Sequence, residues 1–382
     1  MVINRRTCVV GCAAILASNM LPEAPARAQR ANAGDPKPEP RERAAMQQAA
    51  EDFLRRHRAP GIAVAIARHG RIVYDAAFGL ADATTGERLS TGSRFRIASA
   101  TKPITSTAIF TLVEHGRLRL TDRIFGPHGM FGERYPLPPD APWLAEITIE
   151  HLLTHTAGGW ANDNNDPMFK DPSLNHDALI AWTIKNQRLK TRPGSAYAYS
   201  NFGYCLLGRV IEKVSNLPYE DYVKRAVLQP AGVTDMRIGH AGTKPRHREV
   251  RYHPSGNGKP YGFNLQRMDS HGGWIATADD LVRFLIHVDG FSPSSILKPD
   301  TIRTMTMAAA ANRGYAHGWA VNAAGNWWHV GSLPGTTSIV VRTSTKFCWA
   351  ALVNAGGAGS GIDAALDKLV WAMVRQVPRW DA

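Results

Sequence analysis

Segments that read as β-strands lie toward both ends of the chain and not in its middle, so the fold must bring the two ends together. The run Ile62-Ala63-Val64-Ala65-Ile66-Ala67 is short, apolar and bounded by Pro60-Gly61 and His69-Gly70. A run of this kind predicts a buried strand, and Ile72-Val73-Tyr74 predicts the returning arm of a hairpin. Two strands alone are not stable in water. The next strand-like segments are residues 318–321, 327–330, 338–341 and 347–353, followed by an amphipathic helical stretch over 362–377. A first helix is expected over 42–57, with Ala45, Ala49, Phe53 and Leu54 on one face. Helical patterns dominate from about 95 to 288. The expected architecture is an α/β domain spanning 42–382, its sheet and flanking helices drawn from both chain ends, with a mostly helical insertion between them. A cleft between two such lobes is a common place for chemistry.

Composition narrows the class. The chain has 382 residues, of which 44% are hydrophobic and 20% charged, so it can bury a sizeable core and is not a disordered segment. Four cysteines are too few for a disulfide scaffold. The formal charge of +13 favours anionic surfaces. The arginines are scattered rather than clustered, which argues against nucleic acid as the partner.

The first residues point to export. Arg5 and Arg6 precede a mostly small and apolar stretch from Thr7 to Leu21, and Ala26-Arg27-Ala28 fits a signal-peptidase site. Ser18 and Asn19 interrupt the run before it reaches the roughly 20 apolar residues a membrane span requires. We read residues 1–28 as a signal peptide and 29–41 as a polar, flexible linker, giving a periplasmic or secreted protein. Arg5-Arg6 is a partial twin-arginine match, so the export route stays open. Val9-Val10-Gly11-Cys12 resembles a lipoprotein box with too little apolar sequence before it. Cleavage after Ala28 leaves Cys205 and Cys348, each in an apolar stretch and expected to be a buried free thiol. It also leaves a net charge of +11 and a basic surface suited to an anionic cell envelope.

Three elements carry the chemistry. Ser99-Ala100-Thr101-Lys102 places a hydroxyl and an amine at i and i+3, hence on one helical face, and Ile104 to Leu112 continues as a helix. A lysine buried beside a serine loses favour for its charged form and can accept the hydroxyl proton. Ser295-Ile296-Leu297-Lys298 has the same spacing, but it runs into Pro299 in a Ser/Pro-rich segment where no helix is expected to hold the geometry. Tyr199-Ser200-Asn201 is a Tyr-x-Asn that joins a phenol able to relay a proton to an amide able to bind a carbonyl. The same residues also suit a helix start. His329-Val330-Gly331-Ser332 follows the aromatic strand Trp327-Trp328, and its glycine would let a substrate approach the backbone.

In this order, Ser99-x-x-Lys102, Tyr199-x-Asn201 and His329-x-Gly331 resemble the three motifs of the penicillin-recognising serine hydrolases. The branch is that of class C β-lactamases, serine DD-carboxypeptidases, D-aminopeptidases and related esterases. The segments 95–99, 149–158 and 272–277 are similar too, and the likeness covers roughly 45–375. It implies a β-lactamase/transpeptidase-like fold in which Ser99 is acylated, Lys102 accepts its proton and Tyr199 relays protons. Asn201 and His329 would hold substrate, Gly331 would belong to the substrate wall, and the backbone N–H groups of Ser99 and Ser332 would form an oxyanion hole. Hydrolysis of a small-molecule or peptide substrate through an acyl-enzyme would need neither metal nor organic cofactor.

The third motif departs from the Lys-Thr-Gly usual in β-lactamases of this branch. His329 and Val330 supply neither a fixed cation nor a hydroxyl, which weakens recognition of a carboxylate and favours a short ester or a D-amino-acid peptide over a β-lactam. Other readings fit less well. No serine has the Gly-x-Ser-x-Gly surroundings of an α/β-hydrolase elbow. His151 and His155 lack the glutamate of His-Glu-x-x-His, so structural roles are expected for them. Asp171-Pro172-Ser173-Leu174-Asn175 only faintly echoes a class A deacylation motif. The alternative from a different class is a binding protein for cell-wall or β-lactam ligands that keeps the cleft without turnover. Retention of Ser99, Lys102 and Tyr199 argues against it.

Overall fold

The computed structural model describes residues 35–240, 242, 248–254, 258–291, 294–357 and 359–380. Residues 1–28, expected to be a signal peptide, and residues 29–34 of the expected linker lie outside the described residues. In chain order the strands are β1 (Gly61–Arg68), β2 (Arg71–Asp82), β3 (Glu87–Arg88), β4 (Phe95–Arg96), β5 (Arg237–Ile238), β6 (Trp274–Ala276), β7 (Ala320–Val321), β8 (Trp327–Leu333), β9 (Thr336–Arg342) and β10 (Phe347–Val353). Seven form one antiparallel sheet in the order β3-β2-β1-β10-β9-β8-β7. The first and last long strands are therefore neighbours, as the distribution of strand-like segments predicts. A second, three-stranded sheet in the order β4-β6-β5 lies within the insertion, which the sequence predicts to be mostly helical.

Helix α1 (Pro40–His57) and helix α2 (Thr101–Glu114) differ in kind. The first has Pro40 in its opening turn and a capping box between Glu39 and Glu42, and it ends at Arg58 in a left-handed conformation. It starts two residues earlier than the sequence indicates. Residues 35–39 are not a free linker either: Asp35 pairs with His69 and Arg68, and the Pro36 carbonyl accepts from Trp380 Nε1 at 2.9 Å. The insertion adds α3 (Ile149–Leu153), α4 (His176–Asn186), α5 (Asn201–Ser215), α6 (Tyr219–Val223), α7 (Leu265–Gly272), α8 (Ala278–Ile286) and α9 (Pro299–Met305), and α10 (Ile362–Val374) closes the chain.

Strand β1 is buried on both faces, and its alternating residues explain how. Ile62, Val64 and Ile66 meet Met46 and Phe53 of α1 and Leu366, Val370 and Met373 of α10, whereas Ala63, Ala65 and Ala67 face the insertion's core. The small alanines let α8 lie close against the sheet. β10 alternates likewise, with Trp349, Ala351 and Val353 toward α1 and α10 and Cys348, Ala350 and Leu352 opposite. Cys205 and Cys348 are buried free thiols, as the sequence suggests.

Helix α2 is buried on every side from Thr101 to Leu112. Two of its buried hydroxyls bond to other segments: Thr105 Oγ1 donates to the Ser270 carbonyl and Ser106 Oγ to that of His317, both at 2.6 Å. Polar residues on a buried helix cost stability unless bonded, and these two bonds tie the helix to neighbouring segments. Helix α2 thus gives the Ser99 turn a rigid base.

Candidate active site

Ser99 sits in a 3-10 turn, Ala98–Ala100, that runs directly into α2. Ala98 has φ 47°, a left-handed conformation that an L-residue holds only when its surroundings enforce it. They do so bond by bond. Ile97 N–H donates to the Trp274 carbonyl at 3.1 Å, Ser338 Oγ to the Ile97 carbonyl at 2.7 Å, and Thr336 Oγ1 to the Arg96 carbonyl at 3.0 Å. The buried Arg96 pairs with Glu249 at 3.2 Å and lies over the Tyr252 ring.

Lys102 Nζ, fully buried, lies 3.1 Å from Ser99 Oγ and donates to Asn201 Oδ1 and to the His271 carbonyl, each at 2.9 Å. Burial lowers its pKa to about 7, with the Asp166 carboxylate pulling the other way. Its ammonium position is 4.7 Å from the centre of the Tyr199 ring. Burial holds the Tyr199 phenol well above its ordinary pKa, with the neighbouring Ser99 side chain opposing the rise, so it stays protonated. Ser200 caps α5 through a 3.0 Å bond from Gly203 N–H. The Tyr-Ser-Asn segment is therefore both a helix start and part of the cluster. Ser99, Lys102, Tyr199 and Asn201 converge.

The second Ser-x-x-Lys does not join them. Contrary to expectation a helix, α9, does follow it, but Ser295 and Lys298 precede that helix rather than lie on it. Ser295 Oγ donates to the His287 carbonyl, and Lys298 is exposed.

The third motif is placed differently from its expected role. His329 is 5% exposed and lies behind Tyr199, their ring centroids 6.2 Å apart, and it is not part of the cleft wall. Its Nδ1–H donates to the Val330 carbonyl at 2.8 Å, which leaves Nε2 to accept from Tyr315 Oη at 3.1 Å. Tyr315 accepts in turn from His155 Nε2–H at 3.1 Å, and His155 Nδ1 accepts from Ser200 N–H at 3.1 Å. Burial and the nearby Lys102 lower the His329 pKa to about 3 and hold that of His155 well below its usual value. Both rings are neutral. His151 is occupied separately, in the cap of α3 with Thr148.

Gly331 approaches the molecule's own backbone rather than a substrate. A Cβ there would lie 1.9 Å from the Ile97 carbonyl oxygen and 3.0 Å from Ala100 N, so only glycine lets β8 lie against the Ser99 turn. Ser332 lines the cleft, and its side-chain oxygen has no partner. The turn Pro334-Gly335 makes Leu333 and Thr336 a closing pair, and alternation along the ladder then aims Ser332 N–H away from β9. Ser99 N–H is among the amides that the start of a helix leaves without an internal partner.

Sequence reasoning missed two participants. Tyr315 lies in a loop without periodicity, and Asp166 in the Asn/Asp-rich stretch 162–166, whose only signal is the Asp-Pro start of a 3-10 turn. Asp166 Oδ2 accepts from Asn201 Nδ2 at 2.8 Å. Between the lobes opens a cleft of about 360 Å3, with Ser99, Asn162, Asn201, His271 and Ser332 as its polar wall and Phe169, Phe263, Met268 and Leu333 as its apolar one. No charged side chain among the described residues lines it.

Comparison with known proteins agrees with this arrangement. Residues 46–370 match the beta-lactamase family. Penicillin-binding protein 4* of Bacillus subtilis (strain 168) is 34% identical over 195 residues, 49% of this chain and only 40% of that protein. Esterase EstB of Burkholderia gladioli is 29% identical over 328 residues, covering 74% of this chain and 77% of the esterase. The D-amino acid amidase of Ochrobactrum anthropi SV3 complexed with L-phenylalanine amide has the same fold, with a TM-score of 0.73 at 24% identity, over 90% of this chain and all of the amidase. The chain belongs to the beta-lactamase family of penicillin-recognising serine hydrolases.

Proposed function

We propose that this serine hydrolase cleaves an ester or amide through an acyl-enzyme on Ser99. The observation that carries the reading is the contact of Ser99 Oγ with a buried amine of lowered pKa that itself lies beside the protonated Tyr199 phenol. Neutral Lys102 takes the Ser99 proton as Oγ attacks the carbonyl carbon. The developing oxyanion is received by the Ser99 and Ser332 backbone N–H groups, each such donor contributing about 3 kcal/mol to the transition state. Tyr199 passes a proton to the leaving oxygen or nitrogen as the acyl bond breaks. A water molecule then repeats the sequence on the acyl-enzyme, releasing the acid and restoring Ser99.

The cleft wall favours uncharged substrates. Among the described residues it offers no cation to a carboxylate, and His329, where other members place a lysine, is neutral and engaged at both nitrogens. Short esters come first, then D-amino-acid amides and peptides, with β-lactams last. The names of the esterase and amidase relatives point the same way. Export of the mature chain from residue 29 completes the proposal. It rests on the signal-like residues 1–28 and is tested by the intact mass of the protein recovered from the periplasm.

The catalytic reading is tested by running a chromogenic short-chain ester, a D-alanyl peptide and a cephalosporin on wild type and on Ser99→Ala. Turnover of the ester with a burst equal to enzyme concentration, absent in Ser99→Ala, is expected. Equal rates in the two proteins would overturn the nucleophile assignment, and ligand binding without turnover in either would favour the non-catalytic alternative.

A further inference from the structure

Asp166 belongs to no motif of the sequence, yet it is 2% exposed and one residue removed from the amine that takes the serine proton. Its carboxylate is held from both sides. Oδ1 accepts Met168 N–H at 2.9 Å, capping the 3-10 turn Pro167–Phe169, and Oδ2 accepts Asn201 Nδ2–H at 2.8 Å. Asn201 Oδ1 then accepts from Lys102 Nζ. An ionised carboxylate only accepts hydrogen bonds, whereas a carboxamide has one accepting and one donating end. The carboxylate therefore settles which end of Asn201 faces Lys102.

We propose that Asp166 is a positioning residue that locks the Asn201 carboxamide with its oxygen toward Lys102 Nζ. The proposal rests on the reading of Lys102 as the proton acceptor for Ser99. With the amide turned over, Nδ2–H would point at the lone pair of the neutral amine and occupy the orbital that must receive the serine proton. The Asp166 turn also carries Phe169 into the cleft wall, so the residue that orients the base fixes part of the substrate surface as well.

The charges around this chain are few. Burial raises the Asp166 carboxyl to about 6, with Asp163 on the same loop adding to the rise and Lys102 from α2 opposing it. Asp163 is itself near Lys190, at 3.7 Å. Lys102 faces the Tyr199 and Tyr204 rings, and His155, His271 and His329, which it helps to keep neutral. Asp166 is thus the carboxylate that favours the protonated amine. Removing its charge must lower the pH at which the amine loses its proton.

The test is the pH profile of kcat and kcat/KM for the ester, measured on wild type, Ser99→Ala, Asp166→Asn and the exchange Asp166→Asn/Asn201→Asp. In Asp166→Asn two NH2 groups would meet, so Asn201 turns over. We expect kcat at least tenfold lower with KM within twofold, and the acid limb moved to lower pH by half a unit or more. The exchange keeps a matched pair but puts the carboxylate directly on Lys102, and it must move the acid limb above that of wild type. Asp166→Ser keeps an acceptor for Met168 N–H, so it keeps the turn if asparagine disturbs it, and its limb must shift downward too. An Asp166→Asn protein with wild-type kcat and acid limb, alongside an inactive Ser99→Ala, overturns the role of Asp166 alone. Turnover surviving in Ser99→Ala overturns the catalytic reading and this proposal with it.

Discussion

Gly331→Ala tests whether the Ser99 turn is held by the close approach of β8. The added Cβ would meet the Ile97 carbonyl oxygen at 1.9 Å and Ser338 Oγ at 2.4 Å, where real Cβ contacts essentially never fall below 3.0 Å. The strand or the turn must therefore withdraw by about 1.1 Å, because the tighter contact is with the Ile97 backbone and not with a side chain that could rotate away. Ser338 Oγ also donates to that same carbonyl, so the shift breaks one of the bonds that enforce the left-handed Ala98. Overpacking of this kind costs about 1–3 kcal/mol of stability. A misplacement of about 1 Å at the reacting group costs about 100-fold in rate. The expected result is a variant that melts a few degrees lower by circular dichroism and hydrolyses the ester about 100-fold more slowly, with a smaller acyl burst. Gly92→Ala is the control, because a Cβ there meets only ordinary contacts at 3.4 and 3.7 Å, and it should stay within twofold of wild type. A Gly331→Ala protein with wild-type melting and turnover would refute the argument.

The remaining predictions concern charge and buried polarity. Because Lys102 must be neutral to accept a proton and titrates near 7, kcat/KM should rise as pH increases through about 7. A profile flat from pH 5.5 to 8 would contradict that assignment. Tyr315→Phe removes the hydroxyl shared by His155 Nε2 and His329 Nε2 and leaves both ring nitrogens buried without partners. Each unmet group costs about 1–3 kcal/mol, so urea unfolding should show a loss of about 2–6 kcal/mol, and a loss below about 1 would show the network to be dispensable.

The long strands and end helices were legible where periodicity was strong. Residues 347–353 form β10 as read, and α10 starts at Ile362 as expected. The sequence marks β2 only as far as Tyr74, because Asp75-Ala76-Ala77 shows no alternation. It continues to Asp82 because pairing with β1, in the register Gly61↔Gly79, overrides weak local propensity. The two-residue strands β4 and β5 have no sequence signature, since their order comes entirely from β6 between them. The site divides the same way. Ser99, Lys102, Tyr199 and Asn201 lie on or beside helix starts with recognisable spacing, whereas Asp166 and Tyr315 reach the cluster by tertiary folding. At Gly331 the sequence shows that the backbone is bare but not what lies against it, which is the Ile97 carbonyl and not a substrate.

Gly61 N–H donates to Asn354 Oδ1 at 2.8 Å across 293 residues of chain, at the seam where β1 meets β10. A ribosome must finish the whole insertion before this seam can close. Contacts so distant in sequence slow folding, and until they form β1 presents an open edge to other nascent chains. A product ending before Phe347 would lack the neighbour of both β1 and β9, and β9 supplies the two hydroxyls that brace the approach to Ser99. Premature termination late in translation should therefore yield aggregation-prone, inactive protein rather than a weakened enzyme.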